Sequence, residues 1–151
     1  MWKIKRILLY ILFLLPFFFQ QLNAQEKFLS LKKSKVNVRY GPGFDYPIKY
    51  IYKKINLTVK EIDKKENFRK IIDIKKNTGW IHISQLKRSN SIITTKDKIL
   101  FKNPSTFSKP IFKLEKGRLL IIKKCKKEWC SVKTGDYSGW IKIDNFWGSI
   151  N

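Results

Sequence analysis

Apolar and polar positions alternate in short stretches through most of this chain. Val36 and Val38 flank Asn37, Ile81 and Ile83 flank His82, and Ile141 and Ile143 flank Lys142, so each stretch presents one apolar face, as a half-buried strand does. Further β-branched or aromatic stretches run over Leu57 to Ile62, Phe68 to Asp73, Leu119 to Lys124 and Trp129 to Lys133, each bounded by turn-forming residues. No window after the first 24 residues sustains a helical apolar period, so an all-β chain is expected.

The stretches recur in the same order. In one copy Val36-Asn37-Val38-Arg39 leads into Gly41-Pro42-Gly43, Tyr46-Pro47-Ile48 and, after two strands, Gly79-Trp80-Ile81-His82-Ile83. In the other, Lys98 to Phe101 leads into Asn103-Pro104-Ser105, Lys109-Pro110-Ile111 and Gly139-Trp140-Ile141-Lys142-Ile143. Pro42 and Pro104 are 62 residues apart, and Trp80 and Trp140 are 60 apart, which marks an internal repeat. A polar segment, Lys87 to Asn90, separates the copies. About five short strands per copy make a small closed barrel. A barrel of that size is marginal alone, so the copies are expected to pack on each other.

The first 24 residues read as an export signal. Lys3, Lys5 and Arg6 form a basic start, Ile7 to Phe19 is apolar apart from Pro16, and Leu22-Asn23-Ala24 offers a small residue before a cut at Gln25. The apolar run is shorter than the ~20 residues of a spanning helix, which favours cleavage over a permanent anchor. No Cys follows it to carry a lipid. The expected mature chain is periplasmic or secreted, without a stable membrane span. It divides into 25–88 and 89–151.

Val36-Asn37-Val38-Arg39-Tyr40-Gly41-Pro42-Gly43, followed by Tyr46-Pro47 and closed by Gly79-Trp80-Ile81, resembles the bacterial SH3 (SH3b) family. The second copy departs from the pattern, with Phe101 in the place of Arg39 and Asn103-Pro104-Ser105 in the place of Gly-Pro-Gly. The tandem arrangement also resembles exported SH3-domain proteins of Gram-negative bacteria. The resemblance implies two tandem SH3-like barrels and suggests binding to cell-wall or peptide ligands; it implies no reaction. In the loop, Gly41 and Gly43 are free to take positive φ, with Pro42 fixing the turn between them.

The chemistry-bearing residues are few. His82 lies in the first copy and both Cys in the second, which leaves a Cys-His hydrolase without its pair. Cys125 and Cys130 with a remote His make a weak zinc pattern, and no nucleotide loop or nucleophile elbow occurs. Neither catalysis, a metal nor a cofactor is expected. His82 reads as a surface or hydrogen-bonded barrel histidine, Trp80, Trp129 and Trp140 as core or half-core, and Trp147 as a cover for the open end of the second barrel. Asp73 and Arg69 share a strand face about 13 Å apart and read as independent solvated charges. If Lys127-Glu128 is the tip of a hairpin, Cys125 falls opposite Cys130 within disulfide reach, although a longer or bulged loop is also open.

The formal charge of +22 falls to +19 without the three basic leader residues. That excess suits a polyanionic wall or membrane partner, and export argues against nucleic acid. Ile, Lys, Asn and Phe are abundant throughout while Ala is almost absent, so compositional drift accounts for the charge equally well. Arg39, Tyr40, Phe44, Tyr46, Tyr50 and Tyr52 form the candidate ligand-binding set, because Tyr in place of Phe or Leu signals a hydroxyl in need of water or a partner. The rival reading has these tyrosines lining the contact between barrels. The expected function is a non-catalytic module that recognises peptidoglycan or a wall-associated peptide; the alternative is an adaptor in an envelope assembly that binds an extended protein segment. Mass spectrometry of the exported protein is expected to find an N-terminus at or near Gln25, and a chain beginning at Met1 refutes the leader reading.

Overall fold

The computed structural model describes residues 26–150. The expected signal segment, 1–24, lies outside the described residues. The first half contains β1 (Lys27–Leu31), β2 (Val36–Arg39), β3 (Ile48–Tyr52), β4 (Thr58–Lys65), β5 (Phe68–Ile72), β6 (Thr78–His82), a single 3-10 turn (Ile83–Gln85) and β7 (Leu86–Arg88). The second contains β8 (Ser91–Thr94), β9 (Lys98–Phe101), β10 (Pro110–Leu114), β11 (Leu119–Lys126), β12 (Trp129–Thr134), β13 (Tyr137–Lys142) and β14 (Phe146–Trp147).

The halves form two seven-stranded sheets with one topology. Strand order is β3-β2-β6-β5-β4-β1-β7 in the first and β10-β9-β13-β12-β11-β8-β14 in the second, which is the repeat at the level of strands. The all-β, tandem expectation holds. Seven strands stand where about five were expected, because Lys27–Leu31 pairs with both β4 and β7, and Leu86–Arg88 is a strand rather than part of a spacer.

Alternation places one core in each half. Leu31, Val36, Val38, Val59, Ile71, Ile81 and Leu86 fill the first, while Ile92, Leu100, Leu114, Leu120, Cys130, Val132 and Ile141 fill the second. Each fully buried aliphatic side chain contributes about 1.5–3 kcal/mol. The Gly of the Gly-Trp-Ile stretch has a packing reason: a Cβ on Gly79 would stand 2.3 Å from Val38 Cγ1, and one on Gly139 would stand 2.7 Å from the Phe101 carbonyl oxygen. Only glycine lets β6 and β13 cross so close to β2 and β9. Ile83 does not share the buried face of Ile81. The strand ends at His82, the 3-10 turn begins, and Ile83 is exposed.

The halves meet through buried hydroxyls. Ser91 Oγ donates to the Asn56 carbonyl at 2.7 Å and lies 2.7 Å from Ser30 Oγ and 2.9 Å from Thr58 Oγ1. Its one proton is committed to Asn56, while Ser30 Oγ donates to Ser89 Oγ at 3.1 Å and Thr58 Oγ1 to the Ser91 carbonyl at 2.9 Å, so the four hydroxyls and two carbonyls form one compact network. Trp147, expected over the end of the second barrel, instead packs edge-on against Phe28 of the first, 5.2 Å between centroids.

Cys125 and Cys130 are disulfide-bonded directly across β11 and β12, with Lys126 opposite Trp129. Lys127-Glu128 forms the two-residue tip, with Lys127 at φ 51°, in the left-handed region that a primed turn requires.

Asp73 is not a solvated charge. It is 5% exposed and accepts four hydrogen bonds, from Lys75 N, Asn77 N, Asn77 Nδ2 and the Tyr52 hydroxyl, each at 2.9 Å. The turn after β5 wraps around the carboxylate as an Asx turn does, which takes it off the strand face. Arg69 turns the other way, to Glu61 at 3.5 Å. Tyr50 and Tyr52 share a half-buried face with Ile51 opposite, and their rings meet edge-on at 5.2 Å. Burial, then the Tyr50 hydroxyl, then the Asp73 carboxylate push the Tyr52 hydroxyl far above its ordinary value. A tyrosine raised in this way stabilises the fold fully below the unfolded value of about 10 and loses that contribution as pH rises beyond it. Tyr52→Phe is expected to cost about 1 kcal/mol at neutral pH in denaturant unfolding. The gap from the parent protein should then narrow as pH rises past about 10. A gap unchanged across that range would contradict this assignment.

Candidate ligand-binding face

The loop between β2 and β3 is held by its own arginine. Arg39, the last residue of β2, donates through Nη1 to the carbonyls of Phe44 at 3.1 Å and Tyr46 at 2.6 Å. Its guanidinium also stands 5.5 Å from the Phe44 ring centroid. A planar fork suits this bracing, because two carbonyls and a ring are engaged by one rigid group. Gly41 and Gly43 do not take the positive φ that their identity permits. Gly41 is required instead because the Tyr46 ring lies on it, where a Cβ would come within 2.2 Å.

Bracing leaves the aromatic side chains outward. Tyr40 is 63% exposed, Phe44 64% and Tyr46 42%, a large apolar area for a folded surface loop. Lys49 Nζ lies 5.6 Å from the Tyr40 centroid. Phe44 reaches back onto the barrel, 5.2 Å from Phe68 and 5.1 Å from His82, and those two rings are themselves 5.1 Å apart. Phe68 and His82 are directly opposite in the β5–β6 register, so the floor of this cluster is a cross-strand pair. His82 Nδ1 accepts from Ser84 N at 3.3 Å and pairs with Ser84 Oγ at 2.8 Å, which leaves the proton of the neutral ring on Nε2. It is the hydrogen-bonded histidine that the sequence suggested, and it is also a wall of the aromatic cluster.

The six candidate residues therefore fall into two groups. Arg39, Tyr40, Phe44 and Tyr46 come together in the loop, and Phe68 and His82 join them. On β3, Tyr52 is committed to Asp73 and Tyr50 to Tyr52. The junction's hydrogen bonds and ring contacts involve Phe28, Ser30, Asn56 and Thr58 on one side and Ser89, Ser91 and Trp147 on the other, with no tyrosine among those described. Phe68 was missed because a Phe at a strand start reads as core. The preceding two-residue tip fixes only its pairing with Lys65, and His82 comes opposite it across the longer β5–β6 connection, which no local spacing in the sequence reveals.

The second barrel keeps the framework and changes the chemistry. Phe101 occupies the Arg39 position opposite Trp140, and its ring meets Trp129 edge-on at 5.7 Å. Its loop is braced by Ser108 Oγ, which accepts from Asn103 N at 2.9 Å, and Phe107 projects fully into solvent at 99% exposure. Among the described residues no group of three or more His, Cys, Asp or Glu converges to hold a metal ion, and no helix is long and apolar enough to cross a membrane.

A family model described as bacterial SH3 domain matches residues 32–87 and 96–148. No curated protein matches the chain. Among solved structures, NlpC2 and NlpC1 from Trichomonas vaginalis are similar at TM-scores of 0.38 each, with 14% and 13% identity over 83% and 84% of this chain. The matches cover 49% and 47% of those proteins, so the chain spans about half their length. The two family matches fall one on each sheet and together take in most of the residues, and the chain belongs to the bacterial SH3 domain family as a tandem pair.

Proposed function

We propose that the mature chain is a non-catalytic, periplasmic or secreted binding module that recognises peptidoglycan or a wall-associated peptide. The observation that carries this reading is the outward aromatic loop, Tyr40, Phe44 and Tyr46, braced from beneath by Arg39. Rings held in advance give flat apolar contact at small entropic cost, which suits an extended or glycopeptide ligand. Lys49 beside Tyr40 supplies a cation for a peptide carboxylate.

A second reading has its own support. β10 ends its sheet, and beside it Ile99, Pro110, Ile111 and Phe112 line a groove of about 610 Å³. An edge strand next to an apolar groove suits an extended protein segment that adds as a further strand, the adaptor role.

Pull-down on purified sacculi separates the two. Retention that survives ~0.3 M salt is expected for wall recognition, whereas loss there reports charge attraction alone. Phe44→Ala and Tyr40→Ala, both at exposed rings, are each expected to weaken retention by about 1–2 kcal/mol, on the order of five- to thirtyfold, with an unchanged circular dichroism spectrum. Normal binding by both variants refutes the loop as the site.

A further inference from the structure

We infer that the junction between the two barrels holds a phosphate-binding site, distinct from the aromatic loop. A cavity of about 390 Å³ opens there, lined by Lys87 and Arg88 from β7, Ser89 and Asn90 from the connection, Ile122 and Lys123 from β11, and Ser149 from the C-terminal segment. Three cationic residues thus line one cavity beside Asn90 and Ser149. The described ion pairs engage Lys27, Lys60, Arg69, Lys98, Lys113 and Lys142, so among the described residues Lys87, Arg88 and Lys123 have no carboxylate partner.

Local structure fixes the convergence. The β11–β12 register shifts between Ile122 and Lys124, which makes Lys123 the extra residue of a β-bulge, and a bulge re-aims its side chain. The same bulge in the first barrel falls between Glu61 and Asp63 and carries Ile62, an exposed apolar residue. The bulge is tied to the connection by Ile122 N, which donates to the Asn90 carbonyl at 2.8 Å. Ser89 is 7% exposed and hydrogen-bonded to Ser30 and to the Ser91 carbonyl, which anchors this part of the cavity wall to the junction.

The chemistry favours a multivalent anion. Three like charges in one cavity repel, and a single carboxylate leaves most of that repulsion in place. A phosphate group carries up to two negative charges and several acceptor oxygens, enough to engage a guanidinium in bidentate fashion together with two ammonium groups. The phosphate could be that of an anionic lipid headgroup or of a soluble phosphate ester.

The test uses the full mature chain and amide NMR shifts at Asn90, Lys123 and Ser149. Inorganic phosphate is expected to saturate these shifts at a concentration about tenfold or more below acetate. Arg88→Gln and Lys123→Gln are each expected to weaken phosphate binding about tenfold, while Lys102→Gln, in the β9–β10 loop outside the cavity, changes it by less than about twofold. Unchanged amide spectra elsewhere report that the variants remain folded. Acetate matching phosphate, no saturation, or equal losses in all three variants overturns the site in favour of diffuse charge. Sedimentation with phosphatidylglycerol vesicles then identifies the source. Retention displaced by free phosphate and lost in Arg88→Gln supports a lipid headgroup, and phosphate saturation without vesicle retention supports a soluble ester.

Discussion

A barrel of about sixty residues encloses too little apolar surface to be secure alone, and the way this chain meets that constraint shapes the rest of its structure. Ser91 is at the centre. Its hydroxyl is wholly buried where the barrels meet, donates to the Asn56 carbonyl, and lies within hydrogen-bond distance of the Ser30 and Thr58 hydroxyls. An apolar contact alone would tolerate sliding between two barrels. A buried hydroxyl cluster does not, because each displaced partner leaves an unsatisfied polar group at about 1–3 kcal/mol. Phe28 and Trp147 add apolar area beside the cluster, and the hydrogen bonds fix the register.

A shared backbone has allowed the copies to diverge where the fold does not constrain them. Val38 and Leu100, Ile71 and Val132, and Ile81 and Ile141 hold matching core positions under the same strand order. At the mouth the copies part, with Arg39 against Phe101, Phe68 against Trp129 and His82 against Lys142. The first loop is braced by a guanidinium and presents three rings around it. The second barrel lacks that brace and carries the disulfide instead, across a hairpin whose counterpart in the first barrel pairs Lys64 with Arg69. Closing so short a loop stabilises by only about 2 kcal/mol, a local reinforcement of the β11–β12 hairpin rather than a condition for the fold.

Features that depend on local periodicity or fixed spacing were legible in the sequence. Alternation at Val36-Val38 and the sixty-residue echo of Gly-Trp-Ile gave the strands and the duplication, and the Cys125 to Cys130 spacing gave the hairpin rung. Long-range features were not legible. Lys27–Leu31 lies outside the repeated stretches, and only its pairing with β4 and β7 marks it as a strand. Asp73 looks like the end of a strand, and only the turn through Asn77 shows that the chain folds back around its carboxylate. Trp147 could be placed near an end by sequence but not against Phe28, more than a hundred residues away. The loop residues Arg39, Tyr40, Phe44 and Tyr46 were found together because one turn holds them together, whereas Tyr50 and Tyr52 were grouped with them by residue type and separated by packing.

Charge follows the same division between what composition spreads and what the fold gathers. Lysines distributed over nearly every exposed face give a field that salt screens within about 8–10 Å, and such a field attracts polyanions without choosing among them. Selectivity requires cations fixed at short range in a partly enclosed place. In this chain β7 of the first barrel, the β11 bulge of the second and the C-terminal segment line one cavity that carries three cationic residues. No one of these elements has the full set, and neither barrel alone would have it. The aromatic loop is built from one copy, but the cationic cavity draws its lining from both, which makes the tandem pair, rather than the single SH3 fold, the unit on which the proposed phosphate site depends.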